Sequence, residues 1–140
     1  MSRNSIKGKT VLITGGAKNL GGMLARDFAT QGARAVAIHY NSASTKAAAE
    51  ETVAAISAAG AKAVSIQADL TTAGAMERLF AEVEASVGRP DIAINTIGMV
   101  IKKPILDVTE AEFDHSNAVN VKSAFFFLKE AGKSLNDNGK

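Results

Sequence analysis

The chain has 140 residues, a formal net charge of +2 and no cysteine. This length corresponds to one domain and is enough to bury a hydrophobic core. The lack of cysteine excludes disulfides, thiolate metal sites and cysteine nucleophiles. No basic stripe interleaved with aromatic residues indicates nucleic acid as a partner. The polar first residues lead directly into an apolar run, so we expect no secretory signal, no membrane span and a cytoplasmic protein.

Short apolar runs alternate with helical segments along the chain. The predicted strands are Thr10–Thr14, Arg34–His39, Ala63–Gln67 and Asp91–Asn95. The helices predicted between them lie near Leu20–Gln31, Thr45–Ala59 and Ala73–Val87, and each is followed by a glycine suited to a C-terminal cap, namely Gly32, Gly60 and Gly88. This alternation predicts an α/β fold, a doubly wound parallel sheet of the Rossmann type with helices on both faces.

A last helix is predicted from about Thr109 to about Leu135. Its first turn is rich in acidic residues, and Phe125, Phe126, Phe127 and Leu128 follow one another later in it. A helix that is apolar on every side must be covered all round. We therefore interpret these aromatic side chains as core or interface, and not as a platform on which bases stack.

The stretch Val11–Gly22, which reads VLITGGAKNLGG, joins the first predicted strand to the first helix. Its glycines suit a backbone that turns tightly or lets a ligand approach closely. Such a turn directs a helix N-terminus and several backbone N–H groups at one point, which is suited to a pyrophosphate. An ordinary structural turn between strand and helix is the alternative interpretation of this segment.

The order of residues in this turn resembles the Thr-Gly-x-x-x-Gly-x-Gly motif of the short-chain dehydrogenase/reductase family. Thr14 directly precedes Gly15, Leu20-Gly21 matches the end of the motif, and Asn19 replaces the central glycine. The resemblance implies that Gly15 and Gly21 lie against the pyrophosphate and that the Leu20 backbone N–H covers it. We include Asn19 with them as a candidate cofactor-binding residue.

Three further points match the same family in order along the chain. Asp69, followed by Leu70, corresponds to the aspartate that accepts a hydrogen bond from the adenine amino group, although an N-cap of the next helix is the plain alternative. Asn95 and Gly98 match two positions of the family's Asn-Asn-Ala-Gly segment, where Asn95 would brace neighbouring strands and Gly98 would let the backbone pass the cofactor.

Asn120 is the third point and the candidate catalytic residue. It corresponds to the helix asparagine that helps to hold a proton-relay water in the family. An asparagine within an apolar helix needs hydrogen-bond partners for its amide, so a purely structural network is the alternative.

The choice between the two nicotinamide cofactors falls on NADP. Enzymes that prefer NAD usually place an acid after the second strand, but the chain has none between Asp27 and Glu50. Lys18 in the glycine-rich turn resembles the family's basic residues that bind the 2′-phosphate, and Asn41 and Ser42 offer neutral hydrogen bonds. Opposite unit charges about 4 Å apart gain about 4 kcal/mol at a surface-like dielectric, and a third of that favours NADP about tenfold. A solvated lysine is the alternative interpretation.

Reduction of a carbonyl by hydride transfer also requires a proton donor. The family supplies it from a Tyr-x-x-x-Lys pair on a later helix, together with an earlier serine. The only tyrosine here is Tyr40, and Ser44 stands four residues after it. Position 140 corresponds to the start of the family's fifth strand, so residues 1–140 are interpreted as the NADP-binding, N-terminal part of a single-domain reductase, truncated after the fourth strand and its helix. In the family's sheet order, a further strand pairs with the fourth one. Without that strand, Ile92–Ile94 would be an unprotected edge of the sheet.

The resemblance therefore implies an oxidoreductase that interconverts a ketone or aldehyde and an alcohol with NADP(H), as a homodimer or homotetramer. A non-catalytic nucleotide-binding or interaction module is the alternative. The Asn41-Ser42 ending resembles family members that reduce hydroxylated aromatic ketones or acyl-thioester ketones. His39 is interpreted as the end of a strand and His115 as part of an exposed helix face, and no paired ligand spacing around either predicts a metal site.

Overall fold

A computed structural model describes residues 5–135 and shows four parallel strands in the sheet order β3-β2-β1-β4. The strands are β1 (Thr10–Thr14), β2 (Ala35–Tyr40), β3 (Lys62–Gln67) and β4 (Ile92–Asn95). The helices are α1 (Asn19–Thr30), α2 (Lys46–Ala58), α3 (Ala75–Val87), α4 (Glu110–Asn117) and α5 (Ser123–Ser134). The predicted α/β fold, a parallel sheet of the Rossmann type, is confirmed.

The sheet is buried on both faces because successive strand residues point to opposite sides. Val11, Ile13 and Ile38 face α1 and α2, whereas Leu12 and Ala37 belong to the cluster that includes α3 and α5. All five side chains have no exposed surface. The two apolar layers fix the sheet between the helices. Because the strands are parallel, their carboxyl ends all lie on the same side of the fold.

The first strand has the predicted boundaries, and those of the other strands and helices differ from the predictions by at most two residues. The strand predicted at Arg34–His39 begins and ends one residue later, because its pairing with β3 extends to Tyr40 and Gln67. The prediction for β3 omitted Lys62, a polar residue whose backbone pairs with Ala35. The three glycines predicted as caps all have left-handed φ values: Gly32 (89°), Gly60 (92°) and Gly88 (91°).

The last predicted helix is present as one run of helical backbone with a change of pitch inside it. Thr109 caps α4 in a capping box with Glu112, and a π-helical turn at Ala118–Lys122 joins α4 to α5. The Lys103 ammonium, which bonds the Glu112 carboxylate, lowers the pKa of Glu112 to about 2. The sequence pattern predicted the acidic start of this helix but not the π turn.

The apolar side chains of α5 divide into a buried and an exposed set. Phe127 packs against Phe80 of α3 with ring centroids 5.7 Å apart. Phe125 and Leu128 are 64% and 70% exposed. Within residues 5–135, β4 pairs with β1 alone, so it forms one edge of the sheet. Over the same residues, no helix combines the length and apolar character needed to cross a bilayer.

Candidate functional site

A cleft of about 500 Å³ lies at the carboxyl ends of the strands. This volume is within the range of about 300–1,000 Å³ typical of small-molecule sites. Ligands of open parallel sheets bind outside the carboxyl ends of the strands, where the strand order reverses. The reversal here falls between β1 and β4, because the chain adds β2 and β3 on one side of β1 before it crosses to the other.

Most of the residues predicted to bind cofactor line this cleft. Those that do are Gly15, Lys18, Asn19, Leu20, Gly21, Asn41, Asp69, Leu70 and Gly98. Three predicted site residues are not among the lining residues, namely Ser42, Asn95 and Asn120. The structure thus brings together nine of the twelve predicted positions, which come from segments distant in the sequence.

The glycine-rich loop from Gly15 to Gly22 folds so tightly that Gly15 and Gly21 leave no room for a side chain. Gly15 has a left-handed φ of 72°. A Cβ atom at Gly21 would overlap the carbonyl oxygen of Gly15, and it would lie 2.7 Å from the Oγ1 of Thr96. Only glycine satisfies both constraints, so these two predicted glycines are required by close backbone approach.

Asn19, which replaces the central glycine of the family motif, has a left-handed backbone conformation. Its φ of 52° is the one positive value among the non-glycine residues that the structure describes. Asparagine enters the left-handed region more readily than other side chains. Asn19 therefore has a backbone conformation that glycine would also allow.

The N-terminus of α1 presents backbone donors to the cleft. The first N–H groups of a helix lack intrahelical partners, and the N-cap residue, Lys18, makes no side-chain hydrogen bond to them. Gly22 N–H already donates to Lys18 O at 3.0 Å. The first-turn N–H groups of Asn19, Leu20 and Gly21 therefore form a site suited to an anion.

Two residues at the end of β4 tie the loop to the sheet. Thr96 Oγ1 donates to the carbonyl oxygen of Thr14 at 2.7 Å, and Thr14 Oγ1 donates to Asn95 Oδ1 at 2.6 Å. Asn95 Oδ1 also accepts from Ile97 N–H at 3.2 Å. The Asn95 side chain thus bonds to the end of β1 and to the backbone that follows β4. Thr96, which departs from the family's asparagine, lines the cleft and was missed by the sequence analysis.

Asp69 stands at the turn after β3. Its Oδ1 accepts from the backbone N–H of Thr71 at 3.0 Å and from the Thr71 hydroxyl at 2.6 Å. These bonds hold the pKa of the Asp69 carboxyl below its usual range. The alternative that Asp69 caps the next helix is wrong, because α3 begins at Ala75 with Gly74 as its N-cap.

Lys18, Asn41 and Thr45 also line the cleft. Lys18 and Asn41 are exposed, and Thr45 Oγ1 donates to Ser42 O at 2.9 Å. The hydroxyl oxygen of Ser42 lies 2.8 Å from that of Ser44. Thr45 was not predicted as a site residue, although its place just after the carboxyl end of β2 could have indicated it.

Asn120 supports the part of the cleft wall formed by the backbone that follows β4. Its Oδ1 accepts from Met99 N–H at 2.9 Å, and its Nδ2 donates to Met99 O at 2.9 Å. Nδ2 also donates to Ser116 Oγ at 3.1 Å. The residue lies inside the π turn, a feature that is frequent at functional sites. Its amide therefore fixes the backbone that leaves β4, beside the cleft.

Both histidines lie closer to the cleft than their sequence interpretation indicated. His39 is 2% exposed, bonds the glycine-rich loop through Gly15 N–H and lines the cleft. His115 is exposed, as expected, but also lines the cleft. The position of His39 at the carboxyl end of β2 was available in the sequence, but its contacts were not.

Comparisons with known proteins agree with this geometry. The short chain dehydrogenase family model matches residues 9–140, so the chain belongs to that family. A dehydrogenase from Burkholderia cenocepacia, solved with bound NADP, is 59% identical with a TM-score of 0.93, and the match covers 98% of this chain and 52% of that one.

Fungal reductases are similar at lower identity. The trihydroxynaphthalene reductase of Colletotrichum orbiculare is 35% identical over 97% of this chain and 47% of its own length. Elsinochrome reductase 1 of Elsinoe fawcettii is 35% identical over 100% of this chain and 51% of its own length. The chain thus spans about half the length of the curated relatives it matches.

The left-handed Asn19 provides a test of the loop. We predict that Asn19→Ala lowers the free energy of unfolding by about 1 kcal/mol, because a Cβ without a local hydrogen-bonding group is strained at this φ. Asn19→Gly should change it by no more than a few tenths of a kcal/mol, since relief of strain and added unfolded-state entropy oppose each other. Urea denaturation of the three proteins measures this, and equal losses in both variants would contradict the conformational role.

Proposed function

We propose that residues 1–140 are the NADP-binding part of a cytoplasmic carbonyl reductase that interconverts a ketone or aldehyde and an alcohol. The observation that carries this proposal is the loop between β1 and α1. It leaves no room for side chains at Gly15 and Gly21, and the cleft is lined by Asn19, Leu20 and Gly21, whose N–H groups belong to the first turn of α1. These are the features that a pyrophosphate requires.

In this proposal, the adenosine end of the cofactor lies between Lys18 and Asp69. The Asp69 carboxylate, which its bonds to Thr71 keep ionised, accepts from the adenine amino group, and Leu70 supplies apolar contact beside it. The Lys18 ammonium binds the 2′-phosphate, with Asn41 and Ser42 as neutral donors.

The similar proteins described above support the choice of NADP and of a carbonyl substrate. The Burkholderia cenocepacia dehydrogenase holds NADP, and two relatives are reductases. Lys18 is the charge within the cleft that favours a 2′-phosphate over a hydroxyl, and NAD is the less favoured cofactor.

The bound nicotinamide supplies hydride chemistry, and this chain's residues prepare the site for it. Gly98 and Met99 form the wall that the Asn120 amide fixes. Asn120 is proposed to support a proton relay, while Asn95 braces β1 against β4. The tyrosine, lysine and serine that complete the relay are proposed to lie beyond residue 140, so these 140 residues alone should not reduce a substrate.

Replacement of Lys18 tests the cofactor preference. Lys18→Ala should weaken NADPH binding about tenfold and leave NADH nearly unchanged, because only the phosphate loses a charged partner. Fluorescence titration with both cofactors measures the two losses. Lys7→Ala is the control, since it removes the same charge from a residue before β1. That residue lies at the amino ends of the strands, whereas the cleft lies at their carboxyl ends. Equal losses for NADPH and NADH would contradict the role of Lys18.

Turnover separates the enzyme from a non-catalytic nucleotide-binding module. The protein expressed from its complete coding sequence should oxidise NADPH in the presence of an aromatic or aliphatic ketone, followed by absorbance. Its sequence should continue into a serine and a Tyr-x-x-x-Lys pair. Tight NADPH binding without turnover of any ketone or aldehyde, and without that pair, would favour the module instead.

We propose further that the complete protein forms a homodimer or homotetramer through α5. Phe125 and Leu128 expose apolar surface that a second copy would cover. Phe125→Asp should shift the sedimenting species to the monomer, because a carboxylate buried at an apolar interface is strongly unfavourable. Met23→Asp is the control, as Met23 is 61% exposed on α1. An unchanged mass of the Phe125 variant would contradict this interface.

A further inference from the structure

His39 makes a polar contact on each side of its ring from a buried position at the end of β2. Gly15 N–H donates to Nδ1 at 3.2 Å, and Nε2 lies 2.8 Å from the carbonyl oxygen of Ala68. The His39 backbone carbonyl also accepts from Gly16 N–H at 3.0 Å. One residue therefore connects the start of the glycine-rich loop to the residue before Asp69.

These partners define the protonation state of the ring. A carbonyl oxygen only accepts, so Nε2 carries the hydrogen that it donates to Ala68. A backbone N–H only donates, so Nδ1 must be unprotonated to accept from Gly15. The neutral Nε2–H tautomer satisfies both contacts, whereas the imidazolium would direct a second N–H at the Gly15 N–H.

We propose that His39 is a positioning residue that holds the glycine-rich loop and the Asp69 corner in the spacing required by a dinucleotide. This inference rests on the proposed nucleotide-binding function. Gly15 is the first residue of the loop and Asp69 is the proposed adenine contact, so the ring spans two parts of one site. The loop is then ordered before the cofactor arrives, and binding does not bear the cost of ordering it.

The charged groups around the ring determine how pH affects this contact. Burial lowers the pKa of His39 below its ordinary 6.5, while Asp69 after β3 acts on the ring in the opposite direction. His115 on α4 acts on Asp69, and Lys18 of the glycine-rich loop lines the same cleft. The neighbouring strand, β1, contributes the uncharged Thr14 beside the loop.

The direction of the pH effect follows from the lowered pKa. The folded protein binds fewer protons at His39 than the unfolded chain, so stability from the neutral ring is fully present above pH 6.5. It is lost as the pH falls below 6.5 towards the folded-state pKa. The hydrogen bond from Gly15 N–H is also lost as the pH falls, because protonation occupies Nδ1.

Two amide substitutions separate the two hydrogen bonds of the ring. In His39→Asn, the side-chain oxygen can occupy the place of Nδ1 and accept from Gly15. In His39→Gln, the longer side chain can place its NH₂ near Nε2 and donate to Ala68, but loses the acceptor for Gly15. We expect His39→Gln to weaken NADPH binding about tenfold and His39→Asn to recover most of that loss.

The titrations use the protein expressed from its complete coding sequence, with urea midpoints measured to identify variants that fail to fold. If the contact to Ala68 alone mattered, the order would reverse, with His39→Gln close to wild type and His39→Asn impaired. Equal NADPH affinity in all three proteins would also overturn the proposal.

The pH profile supplies a readout that a purely structural role would not change. The 2′-phosphate of NADPH titrates in wild type and in His39→Asn alike, so the ratio of their dissociation constants isolates the histidine. Wild-type affinity should fall relative to His39→Asn as the pH decreases through the lowered folded-state pKa of His39. A ratio that stays constant as the pH falls until the protein unfolds would overturn the proposal.

Hydrogen exchange without cofactor distinguishes this inference from the proposed function. The Gly15 amide should be protected in wild type and His39→Asn, and should exchange about tenfold faster in His39→Gln, in proportion to the loss of one hydrogen bond. If that pattern holds but wild type does not bind NADPH, the nucleotide function fails and the anchoring of the loop stands. Identical Gly15 exchange in all three proteins would overturn the anchoring itself.

Discussion

The arrangement of the site depends on the close approach of two backbone segments, at Gly15 and Gly21. The carbonyl oxygen of Gly15 occupies the space that a Cβ at Gly21 would need, and Thr96 Oγ1 closes the same space from β4. This contact sets where α1 begins relative to β1. It therefore determines where the unpartnered N–H groups of the first helical turn point.

The surrounding structure holds this contact from three directions. Thr96 and Asn95 connect the loop to β4, and the His39 ring connects it to β2 and to the turn after β3. Asn120 fixes the backbone just beyond Thr96 through two bonds to Met99. Each of these polar side chains lies at or just after the carboxyl end of a strand or in the π turn of the last helical run, so the parallel sheet is what brings them together.

Much of the fold could be predicted because local patterns determine it. The apolar strands, the glycines after the helices and the acidic first turn of α4 are all features of short segments, and the structure agrees with them within one or two residues. The departure from the family pattern at Asn19 also has a local explanation, since asparagine tolerates the left-handed φ of 52° found there.

Contacts between distant segments could not be predicted from the same patterns. The bonds of His39 to Gly15 and Ala68 depend on strand order and register, which bring residues 24 and 29 positions away to one ring. The role of Thr96 depends likewise on the parallel pairing of β4 with β1. The π turn around Asn120 likewise has no local signal, because no residue in Ala118–Lys122 indicates it by type.

The central claim is that main-chain amides at the start of α1 bind an anionic dinucleotide, and an NMR titration of the cofactor-free protein with NADPH tests it most directly. The amide resonances of Asn19, Leu20 and Gly21 should shift together and saturate with one dissociation constant, while amides at the amino ends of the strands stay in place. A folded protein whose three loop amides do not respond to saturating NADPH would contradict the account.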